Sequence, residues 1–423
     1  MISDKSLNKI FQLFMITTYG FGFYYNNLFR IGNLFPSDLI LVMLLIALFA
    51  KKFAKGDDRI KKKVVIIYFI LISMLLMGLF SSASIGNIFR DFKIFIYFFV
   101  PYSYLKYIKN NYSFQKSNLI LFAVLIITSL FLNWVNFLKT GSVNLENYGI
   151  IQRTFGIGLT FSSAVVLSSF IAVYKDRFVK KAGTITYYIL QVFFLFSIIV
   201  SFTRTLWITY LLVHSLRIIF ISWRKIKLTL LKDLLIIFLL VLAFTCILNN
   251  LKQSENLYYK AITHRIDEIQ IMTPDDNDTL SYRLNDVSSA FYKLYSPRII
   301  FGYGFGDTRA TYGYNAMELG NEEFNTESSF FYYIWKYGII FAFYLFIKVI
   351  RKLYVLFNGT TKASKMMSIF LIVHMLIGSM SGNLNNVYSI AIFAFYIGAN
   401  LELIFSNKKK NIFNKNLNIL KIG

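Results

Sequence analysis

The sequence predicts an all-α polytopic membrane protein with about 12 transmembrane helices and one large extracytoplasmic loop that contains short helices. Of the 423 residues, 56% are hydrophobic, 18% are aromatic and only 16% are charged. A water-soluble chain of this length would carry far more charge and would show amphipathic patterning. The composition therefore favours helices that lie mostly in a lipid bilayer, which is an expected partner of the chain.

Windows of about 20 predominantly apolar residues locate the predicted spans. In chain order they are Ile10–Tyr25, Phe35–Phe53, Val64–Ser82, Ile88–Leu105, Leu119–Leu138, Thr154–Tyr174, Thr184–Phe202, Leu206–Ile221, Leu234–Leu248, Ser328–Val349, Met366–Gly382 and Val387–Phe405. Residues 1–250 hold the first nine spans, and residues 327–406 hold the last three. Residues 407–423 are predicted to form a basic cytoplasmic tail.

The polar segment 251–326 differs in charge from the rest of the chain. It contains 7 of the 45 lysines and arginines but more than half of the 21 acidic residues, whereas the whole chain has a net charge of +24. Membrane proteins keep lysine and arginine on the cytoplasmic side, and long loops are exported. We therefore expect residues 251–326 to form an extracytoplasmic (periplasmic or external) loop.

The lysine-rich clusters are consistent with one topology. When the spans alternate across the membrane from a cytoplasmic N-terminus, every strong cluster falls on the cytoplasmic side together with both termini. These clusters are Lys51–Lys63, Lys106–Lys116, Lys175–Lys181, Arg224–Lys232, Arg351–Lys365 and Lys408–Lys410. The sequence thus predicts a multi-pass protein of the cytoplasmic membrane.

Several other classes and features are excluded by the same composition. Because the basic residues form short clusters between apolar runs, no basic soluble domain is present to bind nucleic acid. The single cysteine, Cys246, excludes an internal disulfide. No cleavable signal is expected, since Met1 to Lys9 is polar and the apolar run after it lacks a small-residue cleavage site.

The basic residues on the predicted outer side are mostly arginines. They are Arg30, Arg153, Arg204, Arg265, Arg283, Arg298 and Arg309. The planar guanidinium group suits phosphate or carboxylate oxygens, so these residues predict an anionic ligand at the outer leaflet. The alternative is that each pairs with a carboxylate of the loop itself.

Two short segments carry the strongest candidates for chemistry. Ser201-Phe-Thr-Arg204-Thr-Leu-Trp207 opens the eighth span, where Arg204 either snorkels to lipid headgroups or clamps a phosphate near the membrane surface. Asn325-Thr-Glu327-Ser-Ser opens the tenth span, where Glu327 either stabilises the first helical turn or acts as a general base.

The loop has two further features. Ser281-Tyr-Arg283 begins a predicted amphipathic helix that continues through Tyr295 and ends before Pro297. The glycine run Phe301-Gly302-Tyr-Gly304-Phe-Gly306 lacks the strand and helix that surround a nucleotide-binding turn, which favours tight packing of the loop over the membrane helices.

No metal site or cofactor is predicted. Asp276-x-Asp278 looks like the metal-binding pair of soluble glycosyltransferases, but the loop is expected outside, without sugar nucleotides, so an acidic turn is favoured. His214 and His374 lie on separate apolar spans and are interpreted as hydrogen-bonded packing residues.

The order of these motifs resembles the O-antigen ligase and polymerase superfamily of bacterial polysaccharide assembly. The resemblance runs from about Arg153 to Gly338. It includes Arg204 in its Ser-x-x-Arg-x-x-Trp setting, Arg283 at the start of a loop helix, Pro297 with the glycine run, and Glu327 eleven residues before Gly338. In the ligases, His followed by Asn or Ser is typical at the Glu327 position, so Glu followed by Ser328 favours a polymerase.

The resemblance implies a metal-independent glycosyltransferase of the bacterial cytoplasmic (inner) membrane. It would join repeat units linked to undecaprenyl diphosphate into O-antigen, capsule or exopolysaccharide at the outer face, with a chain-length regulator protein as a further partner. Arg204 and Arg283, supported by Arg153 and Arg265, would bind the diphosphate leaving group, and Glu327 would deprotonate the sugar hydroxyl.

Two other functions stay open from the sequence. A ligase of the same superfamily would transfer finished glycan to lipid A-core. A lipid-linked oligosaccharide flippase or other transporter would also have about twelve helices. Transporters usually carry midplane charges and internal repeats, whereas the ionisable residues of this chain cluster at the predicted outer ends of the spans.

Overall fold

The structure is a computed structural model, and it describes twelve parts of the chain. These are residues 3–20, 35–54, 72–80, 83–140, 158–200, 204–217, 297–307, 309–310, 322–323, 329–358, 362–378 and 387–399. The predicted helices Leu234–Leu248 and 281–295 lie outside the described residues, as does the tail 407–423.

The described residues form an all-α fold, as predicted. The helices are α1 (Asp4–Met15, continued by a π-helical turn at Ile16–Gly20), α2 (Pro36–Ala54), α3 (residues 72–80), α4 (Ile85–Tyr107), α5 (Tyr112–Thr140), α6 (Gly158–Val173), α7 (Lys175–Ala182), α8 (Thr184–Val200), α9 (Arg204–Arg217), α10 (Ser329–Phe357), α11 (Lys362–Gly378) and α12 (Val387–Gly398). Pro297–Ile300 forms a single 3-10 turn. Two strands of two residues each, β1 (Arg309–Ala310) and β2 (Glu322–Glu323), pair in an antiparallel arrangement.

Every predicted span other than Leu234–Leu248 contains helical residues, but several boundaries differ. Helix α1 starts at Asp4 because the hydroxyl of Ser3 accepts a hydrogen bond from the Ser6 amide at 3.0 Å and because the carboxylate of Asp4 suits a first turn. Helix α7 occupies a segment that was expected only to connect two spans. It is held by contact of Phe178 with Tyr187, whose ring centroids lie 6.3 Å apart.

The helices have two distinguishable ends. At the first, which we call the Asp4 end, the carboxylate of Asp4 forms an ion pair with Lys51 at the end of α2. The hydroxyl of Tyr107, at the end of α4, donates to the same carboxylate at 2.8 Å. Asn8 accepts from the Asn118 amide of α5 at 3.0 Å. The Asp4 end therefore collects the start of α1, the ends of α2 and α4, and the start of α5.

The opposite end, which we call the Asp91 end, collects the other termini of the same helices. The ammonium group of Lys93 lies 2.6 Å from the carboxylate of Asp38, which joins the first half of α4 to the start of α2. The carbonyl of Met74 in α3 accepts from the amide of Phe305 at 3.3 Å. The glycine run and the start of α10 also lie here, as described below.

Helix α12 runs parallel to α4. The rings of Phe393 and Phe98 lie 6.4 Å apart near the middle of both helices, and Gly398 lies against Leu105 at their C-terminal ends. The C-terminus of α12 therefore lies at the Asp4 end. The lysine clusters that follow α2 and α4, and the chain that leads to Lys408–Lys410, all start from this one end.

The distribution of polar and apolar side chains is unusual for a water-soluble protein. Asn8, Gln115, Asn118 and Ser168 are buried between helices, whereas many large apolar side chains are exposed. On α2 and α10 the exposed ones include Leu39, Val42, Met43, Ile46, Ile339, Ile340, Phe343, Ile347, Ile350 and Val355. Within the described residues, one helix, Tyr112–Leu132, is both long and apolar enough to cross a membrane, with a mean hydropathy of 1.7.

Candidate functional site

The residues predicted to carry chemistry fall largely beyond the described part of the chain. Arg153, Arg265, Arg283 and Glu327 lie outside the described residues. Arg204 is the first residue of α9, in agreement with its predicted place at the opening of a span, and its side chain is outside what the structure describes. Their roles therefore stay predictions, and the site is built here from the segments around them.

The glycine run between Phe301 and Gly306 packs tightly against three helices. Gly302, Gly304 and Gly306 have φ angles of 86°, 87° and 79°, which L-residues with a side chain rarely adopt. A Cβ on Gly302 would lie 2.5 Å from the Gly338 nitrogen in α10. On Gly304 it would lie 2.6 Å from the Gly78 nitrogen in α3, and on Gly306 it would lie 2.6 Å from the Ile88 nitrogen in α4. The predicted packing of this run against the helices is confirmed.

A break in α10 gives the glycine run its hydrogen-bond partners. Gly338 has a φ of 79° inside the helix, which interrupts the regular ladder. In an unbroken helix the carbonyls of Trp335 and Lys336 would accept from amides four residues later. Instead they accept from the amides of Tyr303 and Gly304, each at 3.0 Å. The break and the glycine run are therefore one structural unit.

A buried carboxylate, Asp91 of α4, is the centre of a polar network below this unit. It is 2% exposed. One oxygen accepts from the hydroxyl of Tyr332 at 2.7 Å. The other accepts from the amide of Gly306 at 2.7 Å and lies 2.8 Å from the ammonium group of Lys336. Burial of an unpaired charge costs free energy, and these three donors stabilise the buried carboxylate of Asp91.

Lys336 is fully buried and has partners on several sides. Besides Asp91, its ammonium group donates to the backbone carbonyl of Asp307. It also lies 4.3 Å from the ring centre of Trp335 and 5.8 Å from that of Tyr332, distances at which a cation is attracted to an aromatic face. The indole of Trp335 in turn donates to the carboxylate of Asp307 at 2.6 Å.

We call Asp91, Gly306, Asp307, Tyr332, Trp335 and Lys336 the Asp91 network. It joins α4, the end of the glycine run and the start of α10, which are far apart in sequence. Asp307 and Trp335 stand on either side of the segment that contains β1, β2 and Glu327. The network therefore fixes both ends of that segment to the same point on the helices.

Sequence reasoning missed Asp91 and Lys336, the ion pair of this network. A signal was available, because Asp91 lies in the apolar run Ile88–Leu105 and Lys336 in the run Ser328–Val349. An ionisable residue inside an apolar span usually pairs with another or serves a function.

The prediction for His214 is confirmed. Its Nε2 atom lies 3.1 Å from the hydroxyl oxygen of Ser168, and that hydroxyl donates its proton to Gln191 at 2.9 Å. His214 is therefore a hydrogen-bonded packing residue between helices. Over the described ranges, no three His, Cys, Asp or Glu side chains are grouped as a metal site. Asp276 and Asp278 lie outside those ranges, and the side chain of His374 is not described.

The chain matches no protein-family model, and no curated protein matches it.

Proposed function

We propose that this protein is a polysaccharide polymerase of the bacterial cytoplasmic membrane, with about twelve transmembrane helices and both termini in the cytoplasm. It joins repeat units carried on undecaprenyl diphosphate at the outer face of the membrane. The proposal is carried by the order of motifs around one outer loop: Arg204, Arg283, Pro297 with the glycine run, then Glu327 and Gly338. The contact between the glycine run and Gly338 supports it, because these two motifs form one unit in the fold.

The distribution of side chains supports a membrane location. Soluble monomers rarely expose apolar patches of more than a few hundred Å². Here the exposed apolar residues continue over several turns of α2 and α10, whereas Asn8, Asn118 and Ser168 are buried between helices. Buried polar residues that bond across helices are typical of membrane bundles, in which lipid covers the apolar exterior.

The two ends of the bundle support the proposed orientation. The Asp4 end holds the N-terminus and the starts of the lysine clusters after α2 and α4, which the positive-inside rule assigns to the cytoplasm. The Asp91 end holds the glycine run, which belongs to the predicted outer loop, and the start of α10, which follows that loop in the sequence. The lysine clusters and the packing of the helices thus divide the helix termini into the same two groups, one proposed to be cytoplasmic and the other proposed to be outside.

The proposed reaction is a single glycosyl transfer. A hydroxyl of the acceptor sugar attacks the anomeric carbon of the donor glycan, the bond from that carbon to the diphosphate oxygen breaks, and undecaprenyl diphosphate leaves with the electron pair. Negative charge grows on the leaving group, so Arg204 and Arg283 are assigned to stabilise it, with Arg153 and Arg265 in support. Glu327 is assigned to take the proton of the hydroxyl.

The test uses the purified full-length protein in nanodiscs. Lipid-linked repeat units are extracted from a strain that lacks the gene, and they are supplied alone or together with lipid A-core. A polymerase forms a ladder of longer products from the repeat units alone, because it needs no second type of acceptor. Transfer only when lipid A-core is present would indicate a ligase, and no new glycosidic product in either reaction would refute glycosyl transfer.

A further inference from the structure

We propose that Asp91 and Lys336 are positioning residues for the proposed glycosyl transfer, and this inference rests on the proposed function. Their ion pair fixes the first turns of α10 and the end of the glycine run to α4. The proposed base, Glu327, stands two residues before α10 in the sequence, and we propose that the pair acts on it through these first turns.

The ion pair connects three segments that are separate in the sequence, namely α4, the glycine run and α10. Asp91 receives one hydrogen bond from the glycine run, at Gly306, and one from α10, at Tyr332, both at 2.7 Å. Lys336 of α10 bonds to α4 through Asp91 and to the loop through the carbonyl of Asp307. Each charged group thus ties its own helix to both of the other segments.

A buried ion pair by itself adds little to the stability of a protein. Replacement of a buried ion pair by apolar residues of similar volume is often neutral or stabilising, because desolvation offsets the attraction. Hydrogen bonds to a charge do, however, fix direction and distance in a way that apolar contact does not. Such directional hydrogen bonds suit a role in positioning the segment that precedes α10. Exact position matters there, because a displacement of about 1 Å in a reacting group can reduce a rate 100-fold.

The chain contains a matched control at the same end of the bundle. Asp38 and Lys93 form an ion pair at 2.6 Å between α2 and α4. The hydroxyl of Tyr97 donates to Asp38 at 2.8 Å, just as that of Tyr332 donates to Asp91. This second network joins the start of α2 to α4 and has the same kinds of groups, so it reports what loss of an ion pair does by itself.

The experiment compares two double variants with the wild type in the nanodisc polymerisation assay. In Asp91→Asn/Lys336→Met both charges are removed, and the amide introduced at position 91 has one acceptor oxygen for Tyr332 and Gly306, which donate to separate carboxylate oxygens in the wild type. In Asp38→Asn/Lys93→Met the control pair is removed in the same way. Melting temperature, kcat and the KM for lipid-linked repeat units are measured for each.

We expect the Asp91/Lys336 variant to lose roughly 10-fold to 100-fold in kcat with a KM within about threefold of wild type, because the base is displaced while the binding arginines remain. The control variant should keep kcat within about threefold. A kcat close to wild type in the first variant, or an equal loss in both, would overturn the positioning role.

A milder pair of variants covers the case in which the double variant does not fold. Tyr332→Phe and Tyr97→Phe each remove one hydroxyl that donates to a buried carboxylate. Tyr332→Phe should reduce kcat by roughly threefold to tenfold and Tyr97→Phe should not, since only the first bond ties α10 to α4. Equal kcat values would refute the inference. A wild-type protein that makes no polymer would refute the proposed function instead.

Discussion

Removal of the carboxylate of Asp91 should be among the most destabilising single changes in this protein. Asp91→Ala leaves the ammonium group of Lys336, which is 0% exposed, without the carboxylate that lies 2.8 Å from it. It also leaves the amide of Gly306 and the hydroxyl of Tyr332 without their acceptor. Loss of one partner of a buried ion pair costs about 3–5 kcal/mol, which is the decrease expected in the free energy of unfolding.

The opposite change should cost less. Lys336→Met leaves Asp91 with two hydrogen bonds, from Tyr332 and Gly306, each at 2.7 Å. Hydrogen bonds to a charged group contribute about 1.5–3 kcal/mol each, so the remaining carboxylate is partly compensated. Asp91→Ala, in contrast, removes the acceptor of three groups at once. We therefore expect Asp91→Ala to be the more destabilising of the two.

Equilibrium unfolding in mixed detergent micelles, followed by tryptophan fluorescence, measures both effects. Asp4→Ala is the control, because the side chain of Asp4 is 54% exposed and an exposed ion pair contributes only about 0–1 kcal/mol. An Asp91→Ala variant that unfolds within about 1 kcal/mol of wild type, the cost of an ordinary substitution, would contradict this account. A Lys336→Met variant less stable than Asp91→Ala would do so as well.

Three further predictions concern the glycine run and the catalytic assignments. Gly302→Ala should destabilise by at least about 2 kcal/mol more than Gly183→Ala in the same unfolding assay: both glycines have positive φ, but a Cβ on Gly302 meets backbone at 2.5 Å whereas one on Gly183 meets nothing within 4 Å. Equal costs would mean that the close approach does not constrain the run. Arg204→Ala and Arg283→Ala should each lose about 2.7–4 kcal/mol of transition-state stabilisation, by analogy with oxyanion donors, measured as kcat/KM on lipid-linked repeat units with protein level as the control. Near-normal polymer from both would remove the diphosphate assignment. Glu327→Gln keeps the shape but not the base, so activity that survives within a few-fold would make Glu327 a structural residue.

The positions of several helices and the packing role of the glycine run could be predicted from the sequence, because both depend on residues that are close together in the chain. Apolar length located α2, α4 and α8 to within a few residues, and it located the start of α12. The absence of a strand and helix around Gly302, Gly304 and Gly306 distinguished a packing turn from a nucleotide site, and the structure confirms that interpretation. The strand pair Arg309–Ala310 with Glu322–Glu323 is too short to leave a periodic pattern, so it was not predicted.

Features that depend on contact between distant segments could not be predicted in the same way. Nothing in the hydropathy of α4 and α10 states that Asp91 meets Lys336, because the pairing follows from how the helices pack. The break at Gly338 was missed for a related reason. A glycine in an apolar run is compatible with a regular helix, and only the amides of Tyr303 and Gly304, which come from another segment, show why the ladder opens here.

The proposed function requires that the Asp91 end of the bundle faces away from the cytoplasm. Helix α4 has 23 residues and is therefore about 35 Å long, enough to cross the apolar core of a bilayer. Exposed positions mark its two ends: Ile85 begins it at the Asp91 end, and Asn110 follows it at the Asp4 end.

Cys246 is the only cysteine, so Cys246→Ser gives a background into which Ile85→Cys or Asn110→Cys is introduced. Intact cells are treated with a membrane-impermeant maleimide, and lysed cells give the total of reactive thiol. The account predicts that Ile85→Cys is labelled in intact cells and Asn110→Cys only after lysis. The reverse pattern would place the glycine run and the start of α10 in the cytoplasm and would contradict the account.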